Sequence, residues 1–185
     1  MKKISYFVIA LIVSALTVPS LSAQTKMVGG AAMYPTKDII DNAVNSKDHT
    51  TLVAAVKAAG LVETLKGKGP FTVFAPTNAA FDMLPAGTVA TLLKPENKGM
   101  LTTILTYHVL AGNHSSADLA AKIKAGKGTA EFTTVSGGKL WAMMKGKNIV
   151  LKDENGAMAK VSIADVNQSN GVIHVIDHVV TPRKK

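Results

Sequence analysis

No cysteine occurs anywhere in the 185-residue chain. Thiol catalysis and thiolate metal sites are excluded by that absence, and so is a lipid-anchored cysteine. Disulfides are common in exported proteins, but this chain has to stand on its core alone. Aromatic residues amount to 5% of the sequence and tryptophan occurs once. The lysines are scattered among glycine and threonine rather than interleaved with rings, which argues against a nucleic-acid partner. No Gly-x-Ser-x-Gly elbow is present; Ser136 merely precedes Gly137-Gly138. Gly67-Lys68-Gly69 and Gly126-Lys127-Gly128 lack the spacing of a phosphate loop and read as exposed turns. No internal repeat is found.

Acidic residues are also in the minority, 12 against 21 lysines and arginines. The chain opens on Lys2 and Lys3, runs through an uncharged apolar stretch from Ile4 to Val18, and breaks at Pro19-Ser20. Ala23 then offers a small residue for cleavage before Gln24. This is the pattern of a secretory signal peptide, and the apolar run is shorter than the ~20 residues of a membrane span. The expected division is residues 1–23 as signal peptide, 24–35 as a flexible lead, 36–182 as one domain and 183–185 as a basic tail. Loss of Lys2 and Lys3 leaves 19 basic residues against 12 acidic ones, a net charge of +7. Such a charge favours anionic partners outside the cell, such as acidic glycans, lipid headgroups or acidic proteins, and it also serves solubility. No membrane span is expected to remain after cleavage.

The first half of the domain has the period of helices. Thr36 is expected to cap a helix carrying Ile39, Ile40, Ala43 and Val44, and Asp48 a second carrying Leu52, Val56 and Ala59 up to Gly60. Phe71 to Ala75 reads as a strand ended by Pro76, with Thr77 capping a helix that turns Phe81 and Leu84 inward. A longer helix from Glu96 places Leu101, Ile104, Leu105 and His108 on one stripe, with Tyr107 pointing elsewhere. Ser115 and Asp118 have the spacing of a capping box. The second half changes to a period of two. Strands are expected at 132–135, 140–144, 149–151, 157–166 and 172–180, with turns at Gly137-Gly138, Asp153 to Gly156 and Asn170-Gly171. Helices first and strands later indicate an α+β fold. The last strand is apolar on both faces and is expected to be central.

Three segments in order resemble the fasciclin domain. Phe71-Thr72-Val73-Phe74-Ala75-Pro76-Thr77-Asn78-Ala79-Ala80-Phe81 is similar to its first signature and Tyr107-His108-Val109-Leu110 to its Tyr-His motif. Asn170-Gly171-Val172-Ile173-His174-Val175-Ile176-Asp177 is similar to its second signature. The resemblance implies a strongly twisted β-wedge packed with several helices. It carries Thr72, Phe74, Pro76, Thr77, Asn78, Phe81, Asn170, Gly171, His174 and Asp177 as structural motif positions. It also implies a secreted or cell-surface adhesion module that binds a surface or matrix protein, or an acidic glycan, with no catalysis and no cofactor. Animal members use the Tyr-His segment and an Asp-Ile pair ahead of the second signature in recognition. The matching positions here are Tyr107, His108, Asp165 and Val166, the last being valine where the family has isoleucine. The alternative function is an exported protein that takes a small lipid-like ligand in an apolar groove.

The histidines are the candidates for acid–base or metal chemistry. His174 and His178 have a spacing that binds zinc on a helix. On a strand four residues span about 13 Å, beyond the reach of one ion with ligand bonds of ~2.1 Å. His174 and Asp177 face opposite sides of the strand and form no local dyad. His108, on an apolar stripe, is expected to be a core residue whose ring satisfies a backbone group.

Overall fold

The computed structural model describes residues 25–183. The expected signal peptide, its cleavage point and the end of the basic tail lie outside the described residues. Lys26–Val28 (β1) and Ala31–Met33 (β2) pair antiparallel about Gly29-Gly30. This corrects the expectation of a flexible lead over 24–35. Val28 and Met33 are buried in the core, and Lys26 Nζ donates to the Ala164 carbonyl at 2.6 Å. Two apolar anchors on three-residue strands make no period, so nothing in the local pattern marks them.

Ile39–Ala43 (α1) is capped by Asp38, whose carboxylate accepts from the Asp41 amide at 2.8 Å. Thr36 sits in the preceding turn and does not cap it. Thr50–Ala59 (α2) follows a 3-10 turn at Lys47–His49, so His49 rather than Asp48 takes its N-cap place. Gly60, at φ 72°, ends α2 in the left-handed conformation that glycine adopts without a Cβ clash. Val62–Lys66 (α3) comes next. Phe71–Pro76 (β3) then leads into Asn78–Asp82 (α4), with Thr77 Oγ1 accepting from the Ala80 amide at 3.3 Å. Thr88–Leu92 (α5), Lys98–Tyr107 (α6), Val109–Ala111 (β4) and Ser116–Ala125 (α7) complete this half. The Ser115–Asp118 capping box forms in both directions, at 3.1 and 3.0 Å.

The second half consists of Thr129–Thr133 (β5), Lys139–Lys145 (β6), Asn148–Lys152 (β7), Met158–Gln168 (β8) and Gly171–Ile176 (β9). The main sheet runs β4-β3-β9-β8-β7-β6-β5. Its pairs are antiparallel except β3 with β9, which are parallel. Both helices and a mixed, twisted sheet are present, as an α+β reading requires. β9 lies between β3 and β8 and is buried at every position. It stops at Ile176 rather than Val180, because the Asp177 carboxylate takes the Lys160 amide at 2.7 Å in place of a ladder carbonyl. The first strand of this half likewise lies at 129–133, three residues ahead of the expected start, since its edge is set by pairing with β6 and not by its own pattern.

β3 and β9 divide two apolar cores by simple alternation. Val73, Ala75, Ile173 and Val175 face a core made with α1 to α4 and α6. Phe74 and Ile176 face the other, built with Leu119 and Ile123 of α7 and with Leu140, Leu151 and Ala159 of the strands. A strand pair that buries both faces must consist of apolar or fully satisfied residues, which accounts for the composition of the two signature segments.

Candidate functional site

Tyr107 and His108 stand side by side at the end of α6 and serve different cores. The Tyr107 ring is wholly buried in the strand-side core. Its hydroxyl donates to the Lys139 carbonyl at 2.5 Å and accepts from the Glu154 amide at 3.2 Å, joining the start of β6 to the turn after β7. Gly138 packs so closely on this ring that a Cβ there would lie 2.7 Å from it. His108 is buried as well. Its Nδ1 lies 2.8 Å from the Ile104 carbonyl, and its Nε2 accepts from the Val180 amide at 3.2 Å. A carbonyl only accepts, so Nδ1 carries the proton and the ring is neutral. Burial pushes its pKa down to about 4 and that of Tyr107 up to about 12. His108 thus ties the segment after β9 to α6, and Asp153 extends the tie by accepting from the Thr181 amide at 2.9 Å.

The segment 112–116, the loop after β4 with the first residue of α7, gathers three more of the singled-out residues. Thr72 Oγ1 donates to the Gly112 carbonyl at 2.7 Å and accepts from the His114 amide at 2.8 Å. His174, fully buried and stacked on Phe74 at 5.7 Å, places Nε2 2.8 Å from the His114 carbonyl. Its Nδ1 accepts from the Asp165 amide at 3.3 Å. Asp165 lies in a bulge of β8 with φ 56°. Its carboxylate accepts from the Ser116 amide at 2.6 Å and from the Ser116 hydroxyl. Residues from the first signature, the second signature and the bulge between them therefore hold one five-residue segment, the loop 112–115 and Ser116 at the start of α7. Asn113 at its tip is exposed. The sequence reading placed none of Gly112, Asn113, His114 or Ser116 at a site; no spacing announces a loop that is defined by what grips it.

The asparagines of the signatures act as remote caps. Asn78 Oδ1 accepts from the Thr51 amide at 3.0 Å, at the start of α2, and its Nδ2 donates to the Lys47 carbonyl at 2.8 Å. Asn170 Oδ1 accepts from the Ile39 amide at 3.1 Å, while its Nδ2 donates to the Leu65 and Gly67 carbonyls at 2.8 and 3.0 Å. Phe81 packs in the helix-side core, and Pro76 is buried at the end of β3.

Of the four positions assigned to recognition by resemblance, Tyr107, His108 and Val166 are buried, and Asp165 is half-buried with its carboxylate engaged at Ser116. Tyr107, expected to point elsewhere than the His108 stripe, does so and enters the second core. The constellation of Ser116, Asp165 and His174 is not arranged as a nucleophile with its base. The carboxylate, not the imidazole, meets the hydroxyl, and both ring nitrogens of His174 are committed to backbone groups. Burial lowers the pKa of His174 and His114, the latter further because of Lys122, which favours the neutral imidazole in both. Among the described residues no group of three or more His, Asp or Glu side chains is placed to hold a metal ion. No described helix is long and apolar enough to cross a membrane.

The fasciclin domain model matches residues 47–182. Protein sll1483 of Synechocystis is 46% identical over 159 residues, covering 86% of this chain and 81% of that protein. The cell surface glycolipoprotein MPB83 of Mycobacterium bovis is 34% identical over 160 residues, covering 84% of this chain and 64% of that one. Among solved structures, a FAS1 domain pair from the insect cell adhesion molecule fasciclin I superposes with a TM-score of 0.69 at 18% identity, over 78% of this chain and 51% of that chain. With the strand order, the two motif-bearing strands and these matches in agreement, the chain belongs to the fasciclin domain family.

Proposed function

We propose that the protein is an exported adhesion-type binding module that presents the 112–116 loop to a macromolecule at the cell exterior. The observation that carries this reading is the convergence of Thr72, His174 and Asp165 on that loop. Three separate parts of the chain fix its backbone and leave Asn113 exposed, and a preorganised loop loses little ordering entropy on binding. The buried Tyr107 and His108 tie the start of β6, the turn after β7 and the C-terminal segment to α6, and serve the fold rather than the contact surface. The partner class is a surface or matrix protein, or an acidic glycan, in keeping with a charge of +7 once Lys2 and Lys3 are removed (19 basic, 12 acidic). Membership in a family with cell-surface and adhesion proteins supports the same reading. No catalytic step and no cofactor enter it.

The test is a binding screen of the exported protein against intact cells, matrix proteins and acidic glycans, repeated over a range of salt. A saturable macromolecular partner, bound less tightly as exposed charges are screened over a Debye length of about 8 Å, is the expected result. Retention of a small apolar molecule with no macromolecular partner would favour the alternative of a small-ligand carrier.

A further inference from the structure

The helix-side core is not filled. A cavity of about 80 Å³ lies between α1, α2 and α3 and the faces of β3 and β9 that carry Val73 and Ile173. Its wall is hydrocarbon almost throughout, with Ile40, Leu52, Val56 and Leu65 among the contributors. The space is about half that of an engineered ~150 Å³ apolar cavity known to admit benzene or xenon, which restricts a guest to a few heavy atoms.

His49, on the wall of this cavity, is an independent sign of a guest. The residue is 3% exposed, and its Nδ1 lies 2.8 Å from the Ser46 hydroxyl. Its Nε2 has no hydrogen-bond partner; among the described residues it is the one buried side-chain nitrogen or oxygen in that condition. The Ala75 carbonyl is near enough to favour the protonated ring, but burial outweighs it and holds the His49 pKa below the usual histidine value. A buried polar atom left without a partner is costly, and native proteins rarely keep one. Leucine or methionine would fill the position without that penalty. A hydroxyl arriving on a ligand can donate or accept, so it satisfies Nε2 whichever ring nitrogen holds the proton.

We propose that this cavity binds a small, mainly hydrocarbon molecule bearing one hydroxyl group, with its chain against Leu52, Val56 and Ile173 and its hydroxyl at His49 Nε2. The site is separate from the 112–116 loop, so it does not depend on the proposed adhesion function.

The test uses the whole protein, methyl-labelled for solution NMR, with 1-propanol and 1-chloropropane as probes of matched size with and without a hydroxyl. Intermolecular Overhauser contacts from 1-propanol to the Leu52 and Val56 methyls and to the His49 ring are expected. His49→Leu should weaken 1-propanol about fivefold, the equivalent of one net hydrogen bond, and leave 1-chloropropane within about twofold. Val56→Phe, which fills the cavity, should abolish both. Contacts confined to surface residues, or equal weakening of both probes by His49→Leu, would overturn the proposal. Should either variant fail to fold, the contacts between 1-propanol and the His49 ring in the unaltered protein decide the matter, their absence being a refutation.

Discussion

Asn170 Oδ1 accepts the Ile39 amide at 3.1 Å, joining the turn before β9 to the first turn of α1 across 131 positions of sequence. Asp38 takes the Asp41 amide of the same helix. Two side chains thus satisfy amides that a helix of only five residues cannot satisfy itself. The same Asn170 donates to the carbonyls of Leu65 and Gly67 at the end of α3. Asn170→Ala should lower stability by about 2 kcal/mol, since both a cap and buried carbonyl partners are lost. Asn170→Asp, which keeps the acceptor and removes the donors, should fall between the two. Denaturant midpoints of the three proteins give the ordering, and an alanine variant as stable as the parent would contradict it.

Gly171 is required by crowding. A Cβ at this position would lie 2.0 Å from the Phe71 carbonyl oxygen, in the register where β9 meets β3. The turn chemistry of Asn170-Gly171 marks the right residue in the sequence, but the close approach of a parallel neighbour is the reason it must be glycine. Gly171→Ala should cost about 2 kcal/mol or more by forcing the central strand pair apart. Urea unfolding measures this; an unchanged midpoint would show that β3 can move aside.

Acid should destabilise the fold through its buried histidines. His108 titrates near 4 in the folded protein and near 6.5 when unfolded. Between these values the unfolded chain binds the extra proton, so stability is complete above pH 6.5 and falls progressively as pH drops to about 4. The loss from His108 alone is about 3 kcal/mol over that window. His49 and His174, also depressed by burial, act in the same direction. The opposite limb belongs to Tyr107, whose raised pKa removes stability as pH climbs from 10 towards 12. Thermal unfolding from pH 4 to 8 checks the acid limb, and His108→Gln should flatten part of its slope.

His108→Ala should also release the C-terminal segment, because it leaves the Val180 amide without its acceptor. A loss of about 1–3 kcal/mol is expected. Faster amide exchange at Val180 and Thr181, with β9 still protected, would place the effect at this tie. Uniform acceleration across the sheet would show that His108 supports the whole fold.

The periodic parts of this architecture were legible from the sequence, and the contacts that act over distance were not. Thr77 as a cap, the Ser115–Asp118 box, the switch from helical to strand period and the burial of β9 on both faces all follow from neighbouring residues. His108 was legible as a core histidine because its stripe is apolar. Tyr107 was legible as lying off that stripe, but its burial was not, because the layer on that side is built by strands far along the chain. The β1–β2 hairpin is not legible because Val28 and Met33 are too few to make a pattern, and composition alone does not separate Thr36 from Asp38 as the cap of α1. The grip of Thr72, His174 and Asp165 on the 112–116 loop joins residues 40 to 60 positions apart. Such pairings become visible only once β3, β8 and β9 are side by side.

The central claim is that the motif residues position a loop and that the loop binds. The decisive measurement pairs affinity for the partner with melting temperature in two variants, Asn113→Glu at the exposed tip and Thr72→Val at the buried grip. Asn113→Glu should weaken binding about tenfold, the cost of a misplaced charge at a contact, with the melting temperature unchanged. Thr72→Val should lower both, since it frees the Gly112 carbonyl and the His114 amide. Full affinity in Asn113→Glu, or lost affinity in a Thr72→Val protein whose melting temperature holds, would contradict the claim and move the contact surface from the loop to the residues beneath it.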